Sequence, residues 1–235
     1  YDKRKQKIAR AMAKILNTSG LSWGILGTGE HCSGDPARRL GEENLFQSAA
    51  KVNLETLRSI RFEKLVANCP HCFNTLRNEY PALGNLAEDR SVEVIHHSIF
   101  IKSLLAEGRL SVAKDFDRDL TYHDPCYLGR YNEHYEEPRD VLVQLGSKPI
   151  REMRDNRQTG LCCGAGGGHY WFDMKVGERV NSLRVDQAAE TGAPVIATGC
   201  PFCMQMLEDG VKLTGREETL AVKDLAELVA DALIE

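Results

Sequence analysis

Val195-Ile196-Ala197-Thr198-Gly199-Cys200-Pro201-Phe202-Cys203 is the stretch whose reading decides the fold. Its first four residues are apolar or β-branched and read as a buried strand, which stops where a Cys-Pro-x-Cys turn begins. A second version of this text, Lys64-Leu65-Val66-Ala67-Asn68-Cys69-Pro70-His71-Cys72, stands 131 residues earlier. In each copy 36 residues separate the turn from an upstream cysteine, Cys32 before Cys69 and Cys163 before Cys200. All eight cysteines fall into these two sets: Cys32, Cys69 and Cys72 in the first, and Cys126, Cys162, Cys163, Cys200 and Cys203 in the second. A thiol pattern written twice points to bound metal, and first to iron–sulfur electron transfer.

Working outward, the elements of the two halves follow the same order. In the first, Ile8, Met12, Ile15 and Leu16 repeat at helical spacing and predict a helix over residues 3–16. Trp23-Gly24-Ile25-Leu26-Gly27 is expected as a short buried strand leading to His31-Cys32, followed by a helix over 36–60. Strands over 64–68 and 92–95 and a helix over 98–107 complete the half. The second half is expected to run as a strand over 120–123 that delivers Cys126, a helix over 137–145, and a strand over 149–153. A glycine-rich turn opens at Cys162-Cys163-Gly164, and a helix over 176–191 comes next. The strand over 195–198, a strand over 220–222 and a helix over 225–234 close it. Strands alternating with helices imply an α/β fold of two similar Rossmann-like lobes with small parallel sheets, related by internal duplication. The lobes are placed at 1–115 and 116–235, joined through the polar stretch 109–119. Sites in parallel sheets lie beyond the carboxyl ends of the strands, so both thiol sets belong on that edge.

Composition narrows the class. The chain has 235 residues, 42% hydrophobic and 27% charged, as in ordinary soluble globular proteins. A net charge of −4 argues against nucleic acid as the main partner. No apolar run reaches the ~18 residues of a membrane span, and no signal peptide is visible. A disulfide scaffold fits poorly, because such folds are short chains without a core and this one has ample aliphatic residues. The expected setting is a reducing cytoplasm, with membrane association only through a part of the native polypeptide outside this chain. Tyr1 followed by a charged segment reads as a piece of a longer or processed polypeptide.

The residue types explain the chemistry. Thiolates bind soft or borderline metals. Proline in Cys-Pro-x-Cys removes an N–H and stiffens the turn. The run Gly164-Ala165-Gly166-Gly167-Gly168 lets backbone approach a bulky inorganic group without Cβ clashes. Structural zinc is the competing reading, since it also takes four cysteines. Five thiols exceed that number, and they are spread along the chain rather than gathered in a compact finger. A phosphate cradle at the glycine run is weak, because no Lys-Ser/Thr follows it.

Cys126, then Cys162-Cys163-Gly164, then Cys200-Pro201-Phe202-Cys203, with His123-Asp124-Pro125-Cys126-Tyr127-Leu128-Gly129-Arg130 and Leu161-Cys162-Cys163-Gly164-Ala165-Gly166-Gly167 around them, resembles the cysteine-rich CCG domain. That domain occurs in heterodisulfide reductase and in related iron–sulfur oxidoreductases, including glycolate oxidase and anaerobic glycerol-3-phosphate dehydrogenase subunits. The resemblance covers essentially the whole chain as two repeats. It implies that Cys126, Cys162, Cys163, Cys200 and Cys203 ligate a 4Fe–4S cluster of the noncubane kind. It also implies redox partners: a flavoprotein donor, a ferredoxin-like module, and a quinone-linked membrane module or a disulfide acceptor. Direct reduction of a disulfide at the cluster and a zinc-stabilised interaction module remain as alternatives.

The first repeat departs from the pattern. Counted back from Cys69, its pair position reads His31-Cys32, and its leading cysteine is expected a few residues before Tyr1. With Cys32, Cys69 and Cys72 alone, a second cluster there stays open, and His31 is read as a ligand or, preferably, as a nearby donor or proton carrier. His123-Asp124 is read equally as a proton-positioning pair or as a turn cap. His169-Tyr170-Trp171-Phe172 is read as core packing before pocket lining. His96-His97 is read as structural, and Lys3-Arg4-Lys5 and Arg38-Arg39 as a solvated face.

Overall fold

A computed structural model describes residues 2–113, 119–146, 148–172 and 177–234. The first half comprises α1 (Lys5–Thr18), α2 (Asp35–Arg39), α3 (Glu43–Arg58), β1 (Lys64–Ala67), α4 (Pro70–Asn74), β2 (Glu93–His96) and α5 (His97–Ala106). The second comprises β3 (Leu120–Tyr122), α6 (Glu136–Leu145), α7 (Val180–Glu190), β4 (Val195–Thr198), α8 (Pro201–Leu213), β5 (Ala221–Asp224) and α9 (Leu225–Ala232). The fold is α/β with two small parallel sheets, one ordered β1-β2 and the other β3-β4-β5. Lys64 pairs with Glu93 in the first sheet, and Val195 lies between Leu120 and Ala221 in the second. All four β4 residues are buried, as a central parallel strand requires, and this explains its unbroken apolar text.

Corresponding strands end in corresponding ways. Cys69 and Cys200, two residues past β1 and β4, are the N-caps of α4 and α8, each with proline at the first helical position. Proline suits that position, because its missing N–H would have no intrahelical partner and its φ is already helical. The side chains of His96 and Asp224 cap α5 and α9, accepting from Ser98 N–H and Ala226 N–H.

The main core is shared between the halves, while a smaller cluster of Phe46, Ala50, Leu54 and Tyr80 belongs to the first alone. α1 presents Ile8, Ala11, Met12 and Ile15 on one stripe and packs against α9, while α6 packs against α5. The opening helix of each half therefore lies on the closing helix of the other, and one large apolar cluster draws on both halves. Residues 111–113 also run beside the end of the chain, with Ala113 N–H donating to Ala232 O at 2.8 Å and Ile234 N–H to Ser111 O at 3.0 Å. Residues 114–118 of the expected join and Val176 of the expected helix lie outside the described residues.

Several expectations are corrected. Residues 23–27 form no strand: Ile25 is 78% exposed, and no described strand lies beside them to satisfy their backbone groups. The helix expected over 36–60 is two helices, α2 and α3, separated by a turn at 40–42. Residues 149–153 pass the edge of β3 with one ladder-like bond, Arg151 N–H to Leu120 O at 2.9 Å, and form no strand. Pro149 offers no donor to extend that ladder. Arg4 does not belong to a solvated face, since it joins Glu208 at 2.6 Å and Glu227 at 2.7 Å. Arg38 and Arg39 are likewise engaged, both with Glu79 and Arg39 also with Asp35.

Candidate metal centre

The second set of thiols converges from three places in the chain. Cys126 opens the turn that follows β3, Cys162 and Cys163 sit in the loop before the glycine run, and Cys200 and Cys203 occupy the N-cap and third position of α8. Their thiols act on one another in a run: Cys126 with Cys162, Cys162 with Cys163, Cys163 with Cys203, and Cys203 with Cys200. The run crosses into the first set, because Cys200 also meets Cys69, and Cys69 meets Cys72. Next to this junction the His71 ring lies 5.0 Å from that of Phe202 and 4.1 Å from that of Tyr127. The two Cys-Pro-x-Cys turns therefore face each other across the boundary between the halves. Cys163, Cys200 and Cys203 are buried, Cys69, Cys72, Cys126 and Cys162 are half-buried, and Cys32 is exposed.

Crowded thiols do not ionise alike. Hydrogen bonds from Cys126 and Cys163, and one from Gly164 N–H, hold the Cys162 thiol far below its ordinary value. At Cys200 burial works the other way, but the bonds from Cys203 and Cys69 outweigh it and the thiol is again held low. Neighbouring sulfur and then burial push Cys126, Cys163, Cys203 and Cys72 up. Like charges at this spacing cannot all form unaided. A metal that replaces the shared protons removes that conflict, because ligating thiols are deprotonated outright.

The first set follows the second in a register the sequence count did not give. Gly164 N–H donates to Cys162 Sγ at 3.3 Å, and Gly34 N–H donates to Cys32 Sγ at 3.5 Å. Both glycines hold left-handed backbone, φ +88° and +82°. Ser33 Oγ meets Cys72 Sγ at 3.4 Å, as Cys163 meets Cys203. Cys32 therefore matches Cys162, Ser33 matches Cys163, and the pair position of the first repeat is Cys32-Ser33. His31 lies outside it, exposed and without a hydrogen bond among the described residues. The first loop is one residue shorter than the second, which is why counting back from Cys69 pointed to His31. Cys32 is exposed, and this set presents a serine, Ser33, where the other has a buried thiol.

The polar residues around the thiols have definite partners. Asp124 forms a buried bidentate pair with Arg139 at 2.7 and 3.0 Å and accepts Arg157 N–H at 2.8 Å. Arg139 reaches on to Glu152 at 2.7 and 2.9 Å. His96 and His97 are wholly buried; His96 Nε2–H donates to Gly199 O at 3.0 Å, bracing the residue before Cys200, and His97 Nε2 lies 3.2 Å from Asp224 Oδ1. Burial and the adjacent His97 hold His96 well below its ordinary value. His123 accepts from Arg184 Nε at 3.0 Å through Nδ1, and burial, then the Arg184 charge, push it down to about 3. A His123 ring nitrogen, Cys163 Sγ and Cys203 Sγ all lie within 4.8 Å of one another. His169-Tyr170-Trp171-Phe172 is not core: Trp171 and Phe172 are 52% and 62% exposed, while Tyr170 packs edge-on to Phe202 at 4.8 Å. Ser33 and Arg184 escaped the sequence reading. A shifted count would have found Ser33, but nothing in the α7 pattern marks Arg184 as buried.

A family model for a cysteine-rich domain, CCG, matches residues 1–77 and again 120–208. The chain is 42% identical over 234 residues to a protein of Bacillus subtilis named as a probable iron-sulfur-binding oxidoreductase, FadF, covering 100% of this chain and 32% of that protein. It is 46% identical over 233 residues to a probable membrane-anchored ferredoxin of Chromohalobacter salexigens, covering 99% and 34%. It is 40% identical over 240 residues to an EtfAB:quinone oxidoreductase of Syntrophomonas wolfei, covering 99% and 33%. The chain thus spans about a third of the length of these relatives.

Proposed function

The chain belongs to the cysteine-rich CCG domain family, and from that membership together with its thiol array we propose that it is an iron–sulfur electron-transfer domain of an oxidoreductase. One observation carries the reading: Cys126, Cys162, Cys163, Cys200 and Cys203 form a single run of neighbouring thiols, with two buried donor atoms, His123 Nε2 and Arg184 Nη2, left without partners among the described residues. The donor set fits an iron–sulfur group. Thiolates are its ordinary ligands, five of them exceed what tetrahedral zinc takes, and unpaired buried donors suit an anionic centre. In this reading the five thiols hold a 4Fe–4S cluster of the noncubane kind. Cys32, Cys69 and Cys72 are the thiol contribution of this chain to a first centre, beside Ser33. When bound, such a group supplies a one-electron carrier whose potential depends on charge, hydrogen bonds to sulfur and exposure.

The chain's own residues set those conditions. Helix N-termini at α4 and α8 favour anionic sulfur. The left-handed turns at Gly34 and Gly164 aim backbone N–H at Cys32 and Cys162. Burial of Cys163, Cys200 and Cys203 keeps water from one side, while half-exposed Cys126 and Cys162 leave another approachable. The contact of Cys69 with Cys200 makes the two repeats, 1–115 and 116–235, neighbours at their sites. The proposed role is to relay electrons between a flavoprotein donor and a quinone or disulfide acceptor. The names of the Syntrophomonas and Chromohalobacter relatives support the quinone and ferredoxin links. No described helix is long and apolar enough to cross a membrane. Anaerobic reconstitution with iron and sulfide tests the reading: the protein should turn brown and give an EPR signal on reduction or oxidation. Cys163→Ser should abolish the signal of the second centre, and a variant that kept its full iron and signal would refute the ligand assignment.

A further inference from the structure

Two buried side chains in the second half are partnered on one side only. His123, directly after β3, is 1% exposed, and Arg184, on α7, is wholly buried. Arg184 Nε donates to His123 Nδ1 at 3.0 Å, and its Nη1 donates to Asp155 O and Gln187 Oε1, each at 2.7 Å. Arg184 Nη2 and His123 Nε2 have no partner among the described residues, and no described carboxylate forms an ion pair with this guanidinium. The thiols of Cys163 and Cys203 stand on the open side, within 4.8 Å of a His123 ring nitrogen.

The pairing fixes the tautomer. A guanidinium offers only donors, so His123 Nδ1 must present its lone pair, and the proton of the neutral ring sits on Nε2. A ligating imidazole does the opposite: it gives a lone pair to the metal and donates its other N–H to an acceptor. Arg184 occupies the place of that acceptor with a donor, which excludes His123 as a ligand even though it lies among thiols at ligand spacing. What remains is an Nε2–H that is buried and costly to leave unmade. Sulfur at Cys163 and Cys203 is the acceptor at hand. Asp124 and Asp155 act on this cation without an ion pair to it, so its open Nη2 still calls for an anion alongside.

We propose that His123, locked as its Nε2–H tautomer by Arg184, donates an N–H···S hydrogen bond to the sulfurs held at Cys163 and Cys203, with Arg184 as the buried countercharge behind it. This rests on the iron–sulfur reading of the second set and adds two positioning residues to it, neither of them a ligand. Hydrogen bonds to sulfur and a nearby positive charge favour the more negative, reduced state, so the pair raises the reduction potential of that centre.

The test has an arm for each level. In the full chain stripped of metal and labelled with 15N-histidine, the His123 signals, assigned by their loss in His123→Phe, should report protonated Nε2 and unprotonated Nδ1 at neutral pH. The opposite tautomer or an imidazolium overturns the proposal. In the reconstituted protein, His123→Phe should keep the parent's iron and sulfide per chain while its midpoint moves to lower potential. The expected shift is at least a tenfold change in the oxidised-to-reduced ratio at fixed potential, ~59 mV for one electron. His123→Gln, which restores an N–H donor, should recover part of it. Iron loss from a folded His123→Phe protein, or an unmoved midpoint, overturns the proposal. Absence of iron and sulfide from the reconstituted parent would instead defeat the iron–sulfur reading, with the tautomer still decided by the first arm.

Discussion

Gly164→Ala is the substitution whose cost follows most directly from the site geometry. Gly164 has φ +88°, and a Cβ there would stand 3.3 Å from Val180 Cβ and 3.4 Å from Asn181 N, both at the start of α7. The left-handed backbone costs an alanine about 1–2 kcal/mol. Because α7 is anchored by buried Val185 and Ala188, it yields little, and the crowding adds about 1 kcal/mol. If the turn relaxes instead, Gly164 N–H leaves Cys162 Sγ, a loss of about 0.5–1.5 kcal/mol. Strain and crowding together come to roughly 2–3 kcal/mol, and a turn that relaxes exchanges part of that for the lost hydrogen bond, so the destabilisation is roughly 1–3 kcal/mol. Two residues along the same run, a Cβ on Gly166 would meet nothing within 4 Å, and its φ is not positive, so Gly166→Ala should stay within about 0.5 kcal/mol. Guanidinium unfolding of the metal-free chain reads the difference. With a slope of about 4 kcal/mol/M, the Gly164→Ala midpoint should fall by roughly 0.25–0.75 M while that of Gly166→Ala stays in place. Equal midpoints for the two variants would refute the reasoning.

Other expectations follow from the same contacts. Arg139→Met strands buried Asp124 with only Arg157 N–H and should cost about 3–5 kcal/mol, whereas Asp124→Asn leaves Arg139 paired with Glu152 and should cost less; denaturation midpoints in the reverse order would contradict this. Ser33→Cys should raise the iron retained by the reconstituted chain and His31→Ala should leave it unchanged, and the opposite pattern would restore the register counted from Cys69. His96 and His123 are both held below their ordinary values, so the unfolded chain takes up protons near pH ~6.5 that the folded chain refuses. Their contribution to stability is complete above pH ~6.5 and is lost as pH falls toward their folded values. Unfolding midpoints of the metal-free chain should therefore drop between about pH 7 and pH 5, and a flat profile would show that these rings are not buried neutral.

The parts of the molecule written in local sequence were legible. β1 and β4 lie within a residue of their expected bounds, because apolar runs that stop at Cys-Pro announce both a buried parallel strand and the helix that follows. The same locality gathers the five thiols of the second set into one group from their spacing and flanking residues alone. What was not legible depends on distant partners. The run 23–27 has strand-like residues but no neighbouring strand, so its apolar side chains stay exposed. α1 rests on α9 and α6 on α5, which no count along the chain foretells, and Cys69 meets Cys200 across the same boundary between the halves. A single missing residue in the first loop moved the count from Ser33 to His31, and only the matching N–H···S bonds at Gly34 and Gly164 restored the register. Arg184 and Arg139 carry charges into the interior, where composition places none.

The central claim is that the thiol array is an iron–sulfur site. The most direct measurement is iron, zinc and acid-labile sulfide per chain in protein isolated without oxygen. The account predicts iron and sulfide together in nearly equal amounts, with little zinc, and their loss from the second set in Cys163→Ser. Zinc alone, bound to a colourless protein without sulfide, would contradict it.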